Sequence, residues 1–286
     1  MNPSATIEAA AMFVSMNAVT VGRVPWPEFA HLAHRVGYAG VDVNLGRAME
    51  EGLDSTRALL AELKLRSSAL PLPVEFRIDE EVFRETLAKL APAAHFARGL
   101  GSPRMVTWIA ASSQVPKQEL RDLYLRRFRA IAAILADAGV RLGLEFLGPL
   151  HLRRSGPHEF IWRMDEMLGF ARQCGSNVGL LLDAWHWHHA GATEGDIVAA
   201  GKQAIVHVHV ADAPDLAPEQ IRDNQRLLPG EGIVDWKGFF GALRKIGYQD
   251  AVSPEIFGRL AGQPPEQAAR AALEATLQVM RGTGVA

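Results

Sequence analysis

The chain has 286 residues, 48% of them hydrophobic and 22% charged, proportions that favour a soluble globular protein over a disordered one. The formal net charge of −2 and the lack of a Lys/Arg-rich stripe argue against a nucleic-acid partner. The single cysteine, Cys174, excludes an internal disulfide and a cysteine-based zinc site, and it fits a reducing cytoplasm. Residues 1–16 lack the features of a signal peptide, and no apolar stretch approaches the ~20 residues of a membrane span, so we expect a cytoplasmic protein with no membrane partner.

Short runs of strand-forming residues alternate along the chain with helical patterns. The predicted strands cover residues 11–16, 40–45, 66–73, 104–111, 141–148, 177–185, 204–212 and 250–257. The predicted helices cover residues 27–38, 54–65, 80–101, 117–139, 158–175, 235–248 and 263–284, and a long loop covers 214–232.

Eight strand-like runs without a linker predict an α/β protein, a single-domain (β/α)₈ TIM barrel over residues 1–286. A doubly wound open sheet is the alternative. It is disfavoured because no glycine-rich phosphate-binding loop follows the first strand.

Ionisable residues stand at the predicted carboxyl ends of the last four strands, where a TIM barrel places its active site. Period-two alternation puts the two histidines of the seventh strand on the same side, with the later one nearer the mouth. In chain order these residues are Glu145, Asp183 with His186 three positions on, His207 and His209, and Glu255.

Three carboxylates at one point would repel each other at neutral pH, and we expect no lysine or arginine to balance them there. One divalent metal ion would remove the conflict. Mixed oxygen and imidazole ligands suit Mn²⁺, Mg²⁺, Co²⁺ or Zn²⁺. Taken singly, each residue could be a solvated carboxylate, a core histidine or a helix cap, but four successive strands favour one shared site.

Six motifs in this order resemble the sugar phosphate isomerase/epimerase family, whose fold is the xylose isomerase-like TIM barrel. They fall between about residues 36 and 258 and read GYAGVDV, LEFLGP, LLDAWH, HVHVADA, RLLPGEGIVDW and GYQDAVSPEIF. The resemblance implies that the metal ligands are Glu145, Asp183, His209 and Glu255. It further implies that His186 and Arg226 bind the substrate.

The resemblance implies a sugar or sugar phosphate isomerase or epimerase, in which a metal ion stabilises an enediolate while Glu145 and Glu255 act as base and acid. A dehydratase of 3-dehydroshikimate or 2-keto-inositol stays open, because His151 stands where the family's ketose epimerases carry a glutamate. We expect His151 to bind substrate. Arg153 and Arg154 could bind a phosphate or carboxylate, or they could be solvated.

Other functions are less consistent with the sequence. Endonucleases with three zinc ions on this fold need histidines on the second to fourth strands, and those segments have none. Lys237 falls in a predicted helix, which argues against a Schiff-base enzyme. A non-catalytic sugar-binding barrel is opposed by the complete set of ligands. Residues 267–280 could pair subunits into a homodimer or homotetramer, although packing on their own barrel explains the apolar pattern equally well.

Overall fold

The structure of the protein, a computed structural model, describes residues 12–285. The sequence interpretation that no signal peptide is present rests mainly on residues 1–11, which lie outside this range. The strands are β1 Phe13–Met16, β2 Gly40–Val41, β3 Arg66–Ser67, β4 Leu70–Pro71, β5 Arg104–Trp108, β6 Ser112–Ser113, β7 Arg141–Glu145, β8 His158–Glu159, β9 Val178–Asp183, β10 Ile205–Val210 and β11 Ala251–Pro254.

The helices lie mostly between successive strands. They are α1 Ala18–Val21, α2 Glu28–Val36, α3 Leu45–Glu51, α4 Leu53–Glu62, α5 Glu80–Ala88, α6 Leu90–Gly99, α7 Lys117–Asp137, α8 Leu150–Arg153, α9 Met164–Cys174, α10 Ala184–His189, α11 Glu194–Ala200, α12 Trp236–Lys245 and α13 Pro265–Gly282.

The parallel sheet closes on itself through the third predicted strand. Its strand order is β3-β2-β1-β11-β10-β9-β7-β5-β4, so its two ends, β3 and β4, are consecutive parts of one extended segment. That segment bonds to neighbours on both sides, since the Ser68 N–H donates to the Val41 carbonyl at 3.0 Å and the Leu72 N–H donates to the Val106 carbonyl at 2.9 Å. The predicted (β/α)₈ barrel is therefore confirmed, and the open-sheet alternative is wrong.

Two of the predicted helices have the wrong extent. The helix predicted over 80–101 is two helices, α5 and α6, because Pro92 has no N–H to donate to the carbonyl four residues earlier. The helix predicted over 158–175 begins only at Met164. Its first residues instead form β8, which pairs antiparallel with β6.

The helices cover the barrel with apolar faces. All six residues of β9 and all six of β10 are buried, as expected of strands with the barrel interior on one side and helices on the other. α13 buries an alanine-rich stripe that includes Ala268, Ala269 and Ala272, and it packs against α1, α2 and β1. Its apolar pattern is thus explained within one chain. Among the helices of residues 12–285, none combines the length and apolar character needed to cross a membrane.

Candidate metal centre

The strand order brings the four predicted metal ligands together at the mouth of the barrel. Glu145 ends β7, Asp183 ends β9, His209 lies near the end of β10 and Glu255 directly follows β11. These strands are neighbours in the sheet, in the order β11-β10-β9-β7. One ligand atom from each residue lies within 4.8 Å of all the others. We call these four residues the ligand group.

A cation already contacts the ligand group, so the expectation that no arginine balances it is wrong. Arg226 Nη1 donates to Asp183 Oδ2 at 2.7 Å and to Glu255 Oε2 at 3.0 Å, and Nη2 donates to Asp223 Oδ1 at 3.1 Å. The Arg226 side chain is only 2% exposed. The predicted substrate residue is therefore also a buried ion-pair partner of two predicted metal ligands.

Asp212 holds the loop that carries Arg226. It follows β10, and its N–H and carbonyl exchange hydrogen bonds of 2.9 Å with those of Leu227. Its carboxylate accepts from the N–H groups of Gly230 and Val234 and from Trp236 Nε1, at 2.7 to 2.9 Å. Sequence reasoning did not single out Asp212. A signal was available in the sequence, since Asp212 directly follows an apolar strand-forming run and precedes a glycine-containing loop whose N–H groups need acceptors.

His186 lies beside the ligand group because Asp183 starts the helix that carries it. Asp183 Oδ1 caps α10 by accepting from the Trp185 N–H at 2.7 Å, which leaves Oδ2 for the ligand group. His186 Nδ1 accepts from the Gly148 N–H at 3.3 Å, and Nε2 lies 3.1 Å from Arg226 Nη2. Burial holds the pKa of His186 well below its usual value, so the ring is neutral. A neutral imidazole has one acceptor nitrogen, so the two donors compete for it.

The structure does not bring His151 into the ligand group. It lies half-buried on α8, and its Nδ1 has no hydrogen-bond partner among residues 12–285. Arg153, on the same helix, is bound to the protein itself. Its Nε donates to the Gly148 carbonyl at 2.6 Å, its Nη2 donates to the His189 carbonyl at 2.8 Å, and its guanidinium stacks 3.6 Å from the centre of the Trp162 ring.

The pKa values of the two glutamates of the ligand group are shifted in opposite directions. Burial raises the pKa of Glu145 well above its usual value, and the charges of Glu255 and Asp183 raise it further. Burial also opposes ionisation of Glu255, but His209 and Arg226 outweigh it and lower the pKa of that carboxyl. For His209, burial lowers the pKa, but Glu255 and Glu145 prevail and raise it to about 10. Such divergence within one pair of carboxyls is typical of acid–base sites.

The chemistry of the donor atoms fits a divalent metal ion. Glu145 Oε1 and His209 Nδ1 are buried without a hydrogen-bond partner in the described part of the chain. They lie 3.9 Å apart, and Glu255 Oε2 is 3.5 Å from the same nitrogen. Buried polar atoms without partners are costly, and a cation would satisfy both of these. Oxygen and imidazole ligands suit Mg²⁺, Mn²⁺, Co²⁺ or Zn²⁺.

A second set of possible ligands, Asp42, His207 and His209, also has ligand atoms within 4.8 Å of one another. Its carboxylate already accepts hydrogen bonds on both oxygens. Asp42 accepts hydrogen bonds from Asn17 and from three serines, Ser15, Ser68 and Ser253. Sequence reasoning missed Asp42 because the second strand was predicted over 40–45, which put Asp42 inside the strand, whereas β2 ends at Val41.

Three members of the ligand group, Glu145, His209 and Glu255, line a cavity of about 210 Å³. Asp42, Glu145, His209 and Glu255 supply ionisable groups, while Leu70, Pro71 and Trp108 are among the apolar lining residues. No lysine or arginine of the described chain lines this cavity. A larger cavity of about 490 Å³ lies beside Arg66 and Arg104, at the amino ends of the strands, and contains none of the predicted site residues. The smaller cavity is the candidate active site, because TIM barrels carry their chemistry at the carboxyl ends of the strands.

Comparisons with known proteins agree with this fold. A sequence profile described as "Xylose isomerase-like TIM barrel" matches residues 30–279. The inosose isomerase of Bacillus velezensis is 25% identical over 234 residues, which cover 79% of this chain and 81% of that protein. The structure of a xylose isomerase domain protein from Alicyclobacillus acidocaldarius matches with a TM-score of 0.88 and 28% identity, over 96% of this chain and 100% of the other. The crystal structure of the IolI protein with a zinc atom, at 22% identity, matches in fold with a TM-score of 0.81, over 95% of this chain and 99% of the other.

Proposed function

The protein belongs to the family of xylose isomerase-like TIM barrels, and we propose that it is a divalent-metal-dependent isomerase or epimerase of an uncharged polyhydroxy ketone. The observation that carries the proposal is the geometry of the ligand group. Its four residues converge, and Glu145 Oε1 and His209 Nδ1 are buried without hydrogen-bond partners among the described residues. The pKa values of its two glutamates are shifted in opposite directions. The similarity to an inosose isomerase, and to a protein whose structure holds zinc, supports it.

The chain's own residues can carry a proton from one position on a substrate to another. A divalent ion, when bound by Glu145, Asp183, His209 and Glu255, supplies a Lewis acid that makes the C–H next to a carbonyl more acidic. Glu255, the glutamate with the lower pKa, takes that proton, and the enediolate is the product of this step. Glu145, whose pKa burial raises, then returns a proton to carbon, and Glu255 gives up its proton to solvent. Delivery to the opposite face of the same carbon gives an epimer. Delivery to the former carbonyl carbon gives an isomer, once the hydroxyl proton of the carbon that lost its C–H proton has moved to the former carbonyl oxygen.

The charges around the cavity favour an uncharged substrate over a sugar phosphate. Asp42, Glu145 and Glu255 line it, and none of its described lining residues is a lysine or arginine. Arg226 is paired with carboxylates, and Arg153 is bound to backbone carbonyls. A phosphate or carboxylate would therefore meet lining carboxylates with no lysine or arginine among the described lining residues to bind it.

Dehydration ranks second. In the sequence, dehydration was supported by His151 at the position where ketose epimerases carry a glutamate. His151 is not among the residues that line the cavity. The same experiment separates the two reactions.

The test is proton exchange in D₂O, followed by NMR with protein loaded with Mg²⁺ or Zn²⁺, which are diamagnetic. The substrates are 2-keto-inositol, ketohexoses, ketose phosphates and 3-dehydroshikimate. We expect deuterium to enter next to the carbonyl of an uncharged ketone with its carbon skeleton intact. A new vinylic signal would instead show dehydration, and a lack of exchange with every substrate would refute the proposal. The Glu255→Gln protein is the matched negative control, and Glu274→Gln, on the exposed face of α13, is the matched positive control.

A further inference from the structure

Asp42 is a cavity-facing carboxylate that the ligand group does not include. It directly follows β2, lines the 210 Å³ cavity and keeps 16% of its side chain exposed. Its Oδ1 accepts from the hydroxyl of Ser253 at 3.1 Å, from that of Ser15 at 3.4 Å and, at a short distance, from that of Ser68. Among residues 12–285, its Oδ2 accepts only from Asn17 Nδ2, at 3.0 Å.

This arrangement is unusual for the interior of a barrel, which aliphatic side chains normally fill. Four polar side chains from β1 and the residue after it, from the β3–β4 segment and from β11 converge on one carboxylate. None of them is a cation, and burying a carboxylate without one is costly unless its oxygens are hydrogen-bonded. The result is a fixed group whose ionised form only accepts hydrogen bonds; burial raises its pKa, and the hydrogen bonds and the charge of His209 oppose that rise.

Of the two Asp42 carboxylate oxygens, Oδ2 is the one that can accept a further hydrogen bond. An ionised carboxylate offers about four lone-pair sites, roughly two on each oxygen. Three hydroxyls already crowd Oδ1, whereas Oδ2 has the single Asn17 donor. Because Asn17 also lines the cavity, the Asn17–Asp42 pair forms one polar stretch of its wall.

A second metal ion explains these residues less well. His207 Nε2 lies 3.6 Å from Asp42 Oδ1, but the same nitrogen is 3.1 Å from the Ser253 hydroxyl, which bonds to the same carboxylate. An ion there would have to displace hydroxyl donors from Oδ1 and share His209 with the ligand group. The hydroxyls already occupy Oδ1 without an ion.

We propose that Asp42 binds a hydroxyl group of the substrate through Oδ2 and so determines which polyhydroxy ketones are accepted. A carboxylate accepts from a hydroxyl, but it cannot donate to an ether and it repels a carboxylate or phosphate. Asp42 is not part of the ligand group, although one of its oxygens lies within 4.8 Å of a ring nitrogen of His209. This inference rests on the proposed function, because it needs a polyhydroxy ketone in this cavity.

The test compares Asp42→Asn with the unaltered protein, both loaded with Zn²⁺. Calorimetry measures the binding of 2-keto-inositol and of its monodeoxy analogues, and the same samples are used for proton exchange in D₂O. A lost hydrogen bond to a charged group should weaken 2-keto-inositol binding about 10- to 100-fold. One monodeoxy analogue, lacking the hydroxyl that Asp42 binds, should bind both proteins equally. Asp137→Asn, at the exposed end of α7, is the matched control and should bind as the unaltered protein does.

Several results would overturn the inference while leaving the proposed function intact. These are unchanged binding in Asp42→Asn, an equal loss for 2-keto-inositol and every deoxy analogue, and a fall in zinc from two ions per chain to one. If the unaltered protein neither binds nor exchanges 2-keto-inositol or the ketohexoses, both proposals fail together.

Should Asp42→Asn not fold, Asp42→Glu keeps the charge and moves the acceptor by one methylene group. Its discrimination between 2-keto-inositol and the deoxy analogues should then change. The same discrimination as in the unaltered protein would overturn the inference.

Discussion

Arg226 Nη1 lies 2.7 Å from Asp183 Oδ2, so a buried guanidinium neutralises a carboxylate that is also a predicted metal ligand. The contact links the metal affinity of the site to the position of one arginine side chain. A divalent ion and this guanidinium compete for the same negative charge.

Replacing Arg226 by glutamine should therefore destabilise the metal-free protein much more than the metal-loaded one. Breaking a buried ion pair from one side costs about 3–5 kcal/mol, because the carboxylates are left uncompensated. Zinc should restore most of that loss. Urea unfolding in EDTA and in excess Zn²⁺ measures both values. Arg259→Gln is the control, since its exposed pair with Glu231 should contribute only about 0–1 kcal/mol. Equal destabilisation with and without zinc would show that the guanidinium and the ion do not compete.

Glu145→Gln and Glu255→Gln should each abolish turnover, because Glu255 takes the proton and Glu145 returns one. General acid–base catalysis contributes about 10²- to 10⁴-fold, so each variant should lose at least about 100-fold in the rate of product formation. Zinc content must be measured in the same samples, because both residues are also predicted ligands. A rate near that of the unaltered protein in either variant would exclude the two-glutamate mechanism.

Asp212→Asn should loosen the loop that carries Arg226. The amide would turn an N–H donor towards the N–H groups of Gly230, Val234 or Trp236, each of which now donates to the carboxylate. Hydrogen bonds to charged groups contribute about 1.5–3 kcal/mol each, so the free energy of unfolding should fall by about 3 kcal/mol. Hydrogen exchange over residues 226–236 should become faster, while the barrel strands keep their protection. Unchanged exchange there would mean that other contacts hold the loop. Asp137→Asn is again the matched control.

The stability of the metal-free protein should depend on pH through His209. The carboxylates of Glu255 and Glu145 overcome the effect of burial and raise its pKa from 6.5 to about 10. A raised pKa means that the bound proton stabilises the fold fully below pH 6.5 and that this contribution is lost as the pH rises towards 10. The slope is at most about 1.4 kcal/mol per pH unit.

Urea midpoints in EDTA between pH 6 and 10 measure this dependence, with His209→Gln as the comparison. In the variant, the slope of unfolding free energy against pH should be smaller by the contribution of about one bound proton. Saturating zinc should flatten the curve of the unaltered protein, because a metal-bound imidazole carries no proton at the ligating nitrogen. Parallel curves for the two metal-free proteins would assign the pH dependence to other groups.

The features predicted correctly from the sequence are those that follow from local pattern and topology. Period-two runs and helical spacing were enough to count the strands, and the rule that barrel sites lie at carboxyl ends led to the strand ends that the structure brings together. The break between α5 and α6 could have been inferred from Pro92 alone. The pairing of β6 with β8 could not, because it joins segments on either side of a long helix and a strand.

The position of Arg226 shows more clearly what could not be predicted from the sequence. Its loop takes its shape from the carboxylate of Asp212, and Arg226 reaches Asp183, 43 positions away in the chain. No local pattern encodes that contact. Asp42 shows a different limit, since its role depends on serines from strands that meet only when the barrel closes.

The cavity walls come from separate halves of the chain. The ligand group spans residues 145–255, while Asp42, Leu70, Pro71 and Trp108 come from the first 108 residues. Mutations in the first half can therefore alter which molecule fits without touching the donor atoms, and mutations in the second half can alter the chemistry without reshaping the opposite wall. As proteins with this fold diverge, substitutions that change the substrate range and substitutions that change the reaction type can therefore accumulate independently.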